Sequence, residues 1–328
     1  VGTNEYNTPN MTKRIAILGG AGFIGGHLSP ALKAAGHDVL VIDSLAVNNL
    51  YSLWPQRTNG NSGKHLRMIE DRLRLLEEAR CPPYQLDARD YHQLSNIMKL
   101  FEPEIVIHLA AVAHLNIARK SPHTTFDHSL RTLENALDIA VALNVERFVF
   151  FSSSTVYGDF ESIPIREDAK LRPKGTYGSL KMAGELLVKS YQEDAGLAYT
   201  IIRPQALYGP RCISGRVLQA FIENALDGKP IEVNGANETI DFTHVGDVVR
   251  FVQLVIESDA ARNETFNVSA GFGRTIGDAA DLVWRRFPEA VIVKKPFDDH
   301  RPKRGTMDLT KARTLLGYEP GFNLEMGL

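Results

Sequence analysis

The chain has 328 residues and a formal net charge of -2, with 37 Lys and Arg against 39 Asp and Glu. Balanced charge without a long run of one sign argues against nucleic acid or an acidic membrane surface as a partner. The length calls for a large core and leaves room for one domain plus a smaller one. Two cysteines, Cys81 and Cys212, are too few for a disulfide framework or a thiol-rich zinc site and fit a reducing compartment, so the cytoplasm is expected. No apolar run is long enough to span a bilayer, so no membrane role is expected. The opening VGTNEYNTPN is polar rather than a signal sequence, so residues 1–10 read as a tail or remnant before Met11.

In chain order, the first predicted unit is a strand, RIAILGG, a helix over Phe23–Ala35 with Ile24, Leu28 and Leu32 on one face, and a second strand, DVLVID. A long connection follows between Asp43 and Asp87. It holds a polar loop, QRTNGNSG, and then HLRMIEDRLRLLEEAR, which puts Leu66, Ile69, Leu73 and Leu76 on one stripe. That pattern predicts an amphipathic helix packed on the domain edge or on a second subunit, without a catalytic role. Strands EIVIHLA, RFVFFSS and AYTIIRP then alternate with helical pattern such as TLENALDIAVAL, which predicts an α/β domain with a parallel, doubly wound sheet. After Pro204 the pattern loosens into a smaller, partly interleaved C-terminal domain. The expected division is 11–204 for the sheet domain, with 236–258 returning to it, and 205–235 with 259–328 for the substrate domain.

The segment ILGGAGFIGGHL places Gly19, Gly22 and Gly25, with Phe23 and Ile24 between them, directly after a strand and at the start of a helix. Glycines there allow a tight turn and let the backbone approach a pyrophosphate resting on the helix N-terminus. Asp43 ends the next strand, where an acid hydrogen-bonds a ribose 2′-hydroxyl and repels a 2′-phosphate. NAD is therefore expected as cofactor in preference to NADP.

A second constellation begins at GTYGSLKMAGE, where Tyr177 and Lys181 stand four apart and share a helical face. A tyrosine with a reference pKa near ~10 becomes a usable base when a lysine and a positive nicotinamide ring favour the phenolate. FFSSSTVYG lies at the C-terminal end of a strand of the same sheet, where such folds bind ligands, and its hydroxyls can meet a substrate oxygen.

Taken together, GGAGFIGG, VIDSL, LDARD, HLAAVAH, FFSSSTVYG, YGSLK, RPQALYGPR and RPKRG with DLTKARTLLGYEP resemble the extended short-chain dehydrogenase/reductase family, in its nucleotide-sugar epimerase and dehydratase branch. The likeness runs from about Met11 to the end of the chain and implies a Rossmann-type fold. It implies Ser153 as the catalytic hydroxyl, Tyr177 as the base, and Lys181 as its partner on the nicotinamide ribose. Asp87 and Ala88 would lie near the adenine, and Leu109, Ala110 and Ala111 would line the cofactor groove. Ser153, Ser154, Thr155 and Gln205 would face substrate, while Tyr157 and Tyr208 would pack.

Dehydratases and decarboxylases of that family carry an acid between the catalytic hydroxyl and the Tyr-Gly pair, whereas this chain has Ser154, Thr155 and Val156 there. The resemblance then implies oxidation at a sugar carbon, rotation of the keto intermediate and return of the hydride, with C4 epimerisation of a nucleotide-diphospho-sugar, a hexose or hexuronic acid, as the leading expectation. A net NAD-dependent oxidoreductase acting on a sugar or polyol, and a non-catalytic NAD-binding regulator, stand as alternatives. The chain departs from the family pattern at Ala206 and Ile240, where asparagine and arginine usually help hold the diphosphate, and at His128 and Arg131. Arg211, Arg216 and Arg301 are the basic residues expected to compensate, Arg301 through its match to an RPGD-like motif. His108, His114, His123, His128 and His244 show no ligand spacing, so no metal is expected. A homodimer is the assembly the family implies.

Overall fold

The computed structural model describes residues 12–47, 49–53, 60–112 and 120–328. Residues 56–59 of the expected polar loop, His114, Met11 and the N-terminal tail lie outside the described residues.

Apolar runs bounded by tight turns form the strands. β1 (Arg14–Leu18) enters the glycine turn and α1 (Gly25–Ala34), and β2 (Asp38–Asp43) returns parallel to it. The connection contains α2 (Leu50–Leu53) and α3 (Gly60–Glu78); β3 (Pro83–Gln85), α4 (Tyr91–Phe101) and β4 (Ile105–His108) follow. Next come α5 (Pro122–Phe126), a π turn at Asp127–Arg131, α6 (Thr132–Ala142), β5 (Arg147–Phe151), a 3-10 turn at Ser154–Tyr157, α7 (Gly175–Ala195) and β6 (Tyr199–Pro204).

The smaller lobe begins with β7 (Leu207–Tyr208), α8 (Val217–Leu226), β8 (Ile231–Asn234), β9 (Thr239–Ile240) and β10 (Thr243–His244). The chain then re-enters the large layer through α9 (Val245–Glu257) and β11 (Glu264–Val268). It finishes with β12 (Arg274–Thr275), α10 (Ile276–Arg286), β13 (Ile292–Lys295), α11 (Thr310–Leu316) and α12 (Leu324–Gly327).

Seven strands make one parallel sheet in the order β11-β6-β5-β4-β1-β2-β3. It is a doubly wound, Rossmann-type sheet, and its interior strands are buried on both faces, as the unbroken apolar runs require. Leu28 and Leu32 of α1 cover one face with Val248, Val252 and Val255 of α9; Leu94, Met98, Leu133 and Leu137 of α4 and α6 cover the other. Truncating a side chain such as Leu28 to alanine here costs about 2–5 kcal/mol. Strand order reverses between β1 and β4, and the crevice at their C-terminal ends is the place such a sheet offers a ligand. Gly25 lets α1 sit directly on the turn, since a Cβ there would lie 2.3 Å from the Gly20 carbonyl oxygen.

The small lobe has its own core of Leu218, Phe221, Ile231, Val233, Ile240, Ile276 and Val283. The part rejoining the large layer reaches further than the expected limit at residue 258. β11 is the outer strand of the sheet beside β6, and Leu309, Ala312, Leu316 and Tyr318 pack on the large core. Leu66, Ile69 and Leu76 of α3 are buried, as the stripe predicts, against α1 and α2. The polar start of α3 reaches the other lobe: His65 Nε2 lies 2.7 Å from Glu223 Oε1 on α8, and Lys64 pairs with Asp227.

Candidate active site

The crevice between β1 and β4 opens into a cavity walled by Gly19, Gly22, Phe23, Ile24 and Gly25 of the glycine turn, Asp43 at the end of β2, Asp87 and Ala88 after β3, and Leu109, Ala110 and Ala111 after β4. Gly19 has φ +79°, and a Cβ on it would stand 2.7 Å from the Ala110 backbone nitrogen, so only glycine lets the two turns meet. No side chain caps α1; Gly26 N and His27 N donate to the Gly22 and Ile24 carbonyls at 2.9 and 3.1 Å, and the helix dipole still favours an anion at that end. Asp43 is buried and accepts from Ala21 N at 3.0 Å and Leu45 N at 2.8 Å. Burial pushes its carboxyl up from the usual range, and those two donors pull it back. Asp87 is gripped by Arg89 (2.6 Å), which also reaches Asp127 (2.6 Å), and the Arg89 hydrogen bonds hold the Asp87 carboxyl below its ordinary value. His128 and Arg72 complete the wall, and the residues present fit a dinucleotide.

A second cavity adjoins the first, with Ile24, Leu109, Ala111 and Arg216 on the walls of both. Tyr177 and Lys181, expected to touch the cofactor, face this second cavity together with Ser153, Ser154 and Thr155. Ser153 Oγ caps the 3-10 turn, accepting from Thr155 N at 3.2 Å and from Thr155 Oγ1 at 3.0 Å, and it hydrogen-bonds the Tyr177 phenol. Close docking of α7 on that turn needs Gly178, where a Cβ would come within 2.8 Å of the Thr155 carbonyl oxygen. Lys181 is buried and donates to the Phe151 carbonyl at 2.6 Å. Burial presses its ammonium down to about 8 against the pull of Glu185.

Tyr177 differs from the expectation that Lys181 lowers its pKa. Burial raises the phenol above its ordinary value, and the influences pulling it down are Arg216 and the Ser153 hydrogen bond. Beneath this wall, Arg203 grips Glu185 with Nε at 2.9 Å and Nη2 at 2.6 Å, and Ser152 donates to the same carboxylate. Tyr157 is a buried part of that network, donating to Asn267 Oδ1 at 2.7 Å and accepting from Arg203 Nη1 at 2.8 Å.

Three guanidinium groups, Arg216, Arg301 and Arg304, line the second cavity, and its wall holds no Asp or Glu among the described residues. Arg304 was missed by sequence reasoning, although the RPKR motif contained the signal: a cation stands where the RPGD-like pattern has an acid. Burial and its two arginine neighbours press Arg304 down to about 10. Ala206 and Ile240, the departures from the family pattern, form apolar wall here. Two expected substrate residues are not brought to the cavity. Gln205 is buried and donates its amide to the Gly305 carbonyl at 2.8 Å, while Pro204 and Ala206 on either side face the cavity. Arg211, at φ +60°, turns toward His27 Nδ1 (3.4 Å) and lines neither cavity.

Among the described residues no three His, Cys, Asp or Glu side chains converge as a metal site. His108 is fully buried and pressed down to about 3 by that burial, and His244 caps α9 by accepting from Gly246 N at 3.1 Å. Arg131 pairs with Asp127 at 2.6 Å.

A doubly wound sheet carrying a serine, tyrosine and lysine beside its dinucleotide crevice is the hallmark of the extended short-chain dehydrogenase/reductases. Within that class the chain belongs to the NAD dependent epimerase/dehydratase family, whose sequence profile matches residues 15–269, and NAD is its cofactor. UDP-glucuronate 4-epimerase 1 of Arabidopsis thaliana is 29% identical over 96% of this chain and 74% of its own length. The structure of UDP-glucuronic acid 4-epimerase from Bacillus cereus, in complex with UDP-glucuronic acid and NAD, superposes with a TM-score of 0.85 at 25% identity, covering 95% of this chain and 96% of that one. UDP-glucose 4-epimerase from Thermotoga maritima, with UDP-glucose, gives 0.82 at 28% identity over 95% of both chains.

Proposed function

We propose that this protein is an NAD-dependent nucleotide-sugar epimerase acting at C4 of a nucleotide-diphospho-hexose or hexuronic acid through a transient 4-keto form. The observation carrying this reading is the cavity itself: Ser153, Tyr177 and Lys181 on one wall, three arginines on another, and a shared border with the cofactor cavity. The 4-epimerase relatives support the same reading.

NAD, when bound, supplies an acceptor that takes a hydride from the sugar carbon and gives it back. The protein's own part is proton transfer and positioning. Ser153 holds the sugar hydroxyl oxygen, and Tyr177 takes its proton and later returns it. Arg216 and the Ser153 hydroxyl favour the phenolate, Lys181 stands one helical turn on at the same wall, and Arg216, Arg301 and Arg304 hold the diphosphate through charge-assisted hydrogen bonds. Apolar Ala206 and Ile240 leave the hexose with few fixed polar contacts, so it can turn while its diphosphate stays anchored. The lack of a carboxyl at Ser154, Thr155 and Val156 favours epimerisation over loss of water or carbon dioxide. The same reading takes the protein as a cytoplasmic homodimer paired through helices of the sheet domain, where Leu100 of α4 and Leu186 of α7 stand exposed.

The test is NMR of the protein with a panel of nucleotide-activated hexoses and hexuronic acids, following sugar stereochemistry and NADH absorbance together. Interconversion of C4 epimers without accumulating NADH is expected. NADH rising with a keto product would replace this reading with a net oxidoreductase.

A further inference from the structure

We infer that Arg72, on the connection between β2 and β3, is a ligand of the cofactor's pyrophosphate. Arg72 lies in α3 between Ile69 and Leu76, on the apolar stripe, and its side chain is 1% exposed. It lines the cofactor cavity, yet its Nε and Nη2 have no hydrogen-bond partner among the described residues. A buried cation with open donors is destabilising, so its retention in a packed helix needs an anion that arrives later. Asp43 is a nearby opposite charge, but its carboxylate accepts from Ala21 N and Leu45 N and makes no ion pair or hydrogen bond with Arg72. Arg211 is a like charge in the same surroundings, which sharpens the need for an anion.

The position selects the phosphate. The Arg72 stem lies against the first turn of α1, where a Cβ on Gly26 would meet its Cδ at 3.3 Å and Cγ at 3.4 Å. The positive end of the helix dipole favours an anion there, and a guanidinium fork can take phosphate oxygens from the side. A 2′-phosphate on the adenosine ribose would be driven off by the Asp43 carboxylate. The inference requires only that the dinucleotide binds here and is independent of the sugar reaction.

The test is calorimetry of cofactor-stripped protein with NAD, ADP, AMP, adenosine and NADP, comparing wild type with Arg72→Gln, Arg72→Lys and Arg72→Met. Losing a charge-assisted hydrogen bond predicts about 10–100-fold weaker binding of NAD and ADP by Arg72→Gln. Adenosine affinity should hold, and Arg72→Lys should recover part of the loss. Without ligand, Arg72→Met should unfold no earlier than wild type, since a buried unpaired charge has gone; a lower midpoint would mark Arg72 as a structural residue and overturn the inference. Unchanged NAD and ADP binding, an equal loss for adenosine, or a loss confined to NADP would each overturn it too.

Discussion

The two cavities share a border but differ in their charge. The cofactor cavity places Asp43 and Asp87 on its wall beside Arg72, and each acid is already engaged by protein donors. The second cavity places Arg216, Arg301 and Arg304 together with no acid among the described residues on its wall. A mixed-sign wall suits a long ligand that alternates ribose, phosphate and base. A wall of one sign favours an anion, and suits the proposed substrate, whose phosphate groups would anchor it while its sugar remains free. The difference teaches that anchorage at Arg301 and Arg304 is separable from the chemistry, whereas Arg216 bears on both.

The severest way to break that separation is Tyr177→Phe. Turnover should fall by about 100–10,000-fold while the protein still retains NAD, measured by the bound dinucleotide after gel filtration. An active variant would remove Tyr177 from the mechanism. Next in size is Glu185→Ala, which strands Arg203 in the core under the catalytic wall and should cost about 3–5 kcal/mol in urea unfolding, since a buried cation loses its partner. Third, Arg304→Leu should raise KM for the nucleotide sugar by about 10–100-fold with kcat nearly unchanged, because anchorage rather than chemistry is lost. NAD affinity should not move, and if it does the two cavities are not separable.

The smallest effect concerns the strand between them. His108 at the end of β4 is pressed down to about 3, below its free value of 6.5, so the unfolded chain binds a proton that the folded chain refuses. Stability is therefore complete above pH 6.5 and declines as pH falls toward 3. One pH unit within that window is worth about 1.4 kcal/mol for this group. His108→Phe should show a shallower dependence of urea midpoint on pH between 6.5 and 5.5.

Much of the first cavity was legible because its pieces are local. Strand, glycine turn, helix and acid follow one another in the chain; on the second cavity the one comparably local piece is Tyr177 and Lys181, whose spacing is itself helical geometry. The second cavity is assembled from distant segments, and there the sequence misled. Gln205 sits in a motif whose neighbours do reach the cavity, but alternation along extended chain turns it to the opposite side, onto Gly305. Arg211 is carried away by a left-handed backbone step. Arg304 is brought in from the tail beside Arg301, and the only local sign of it was a cation in the RPKR motif where the related pattern has an acid. Arg72 was hidden differently: the stripe of α3 identified the helix as packing, and the arginine interrupting that stripe was the overlooked clue.

The contacts from His65 to Glu223 and from Lys64 to Asp227 join α3 to α8. Arg72 of α3 and the loop before α8, with Ile213 and Ser214, both wall the dinucleotide cavity, so this tie joins the elements that carry two of its walls. Under the epimerisation proposed above, each cycle would end with the dinucleotide in the state in which it began, and a retained cofactor would insulate the protein from the ratio of oxidised to reduced carrier in its surroundings.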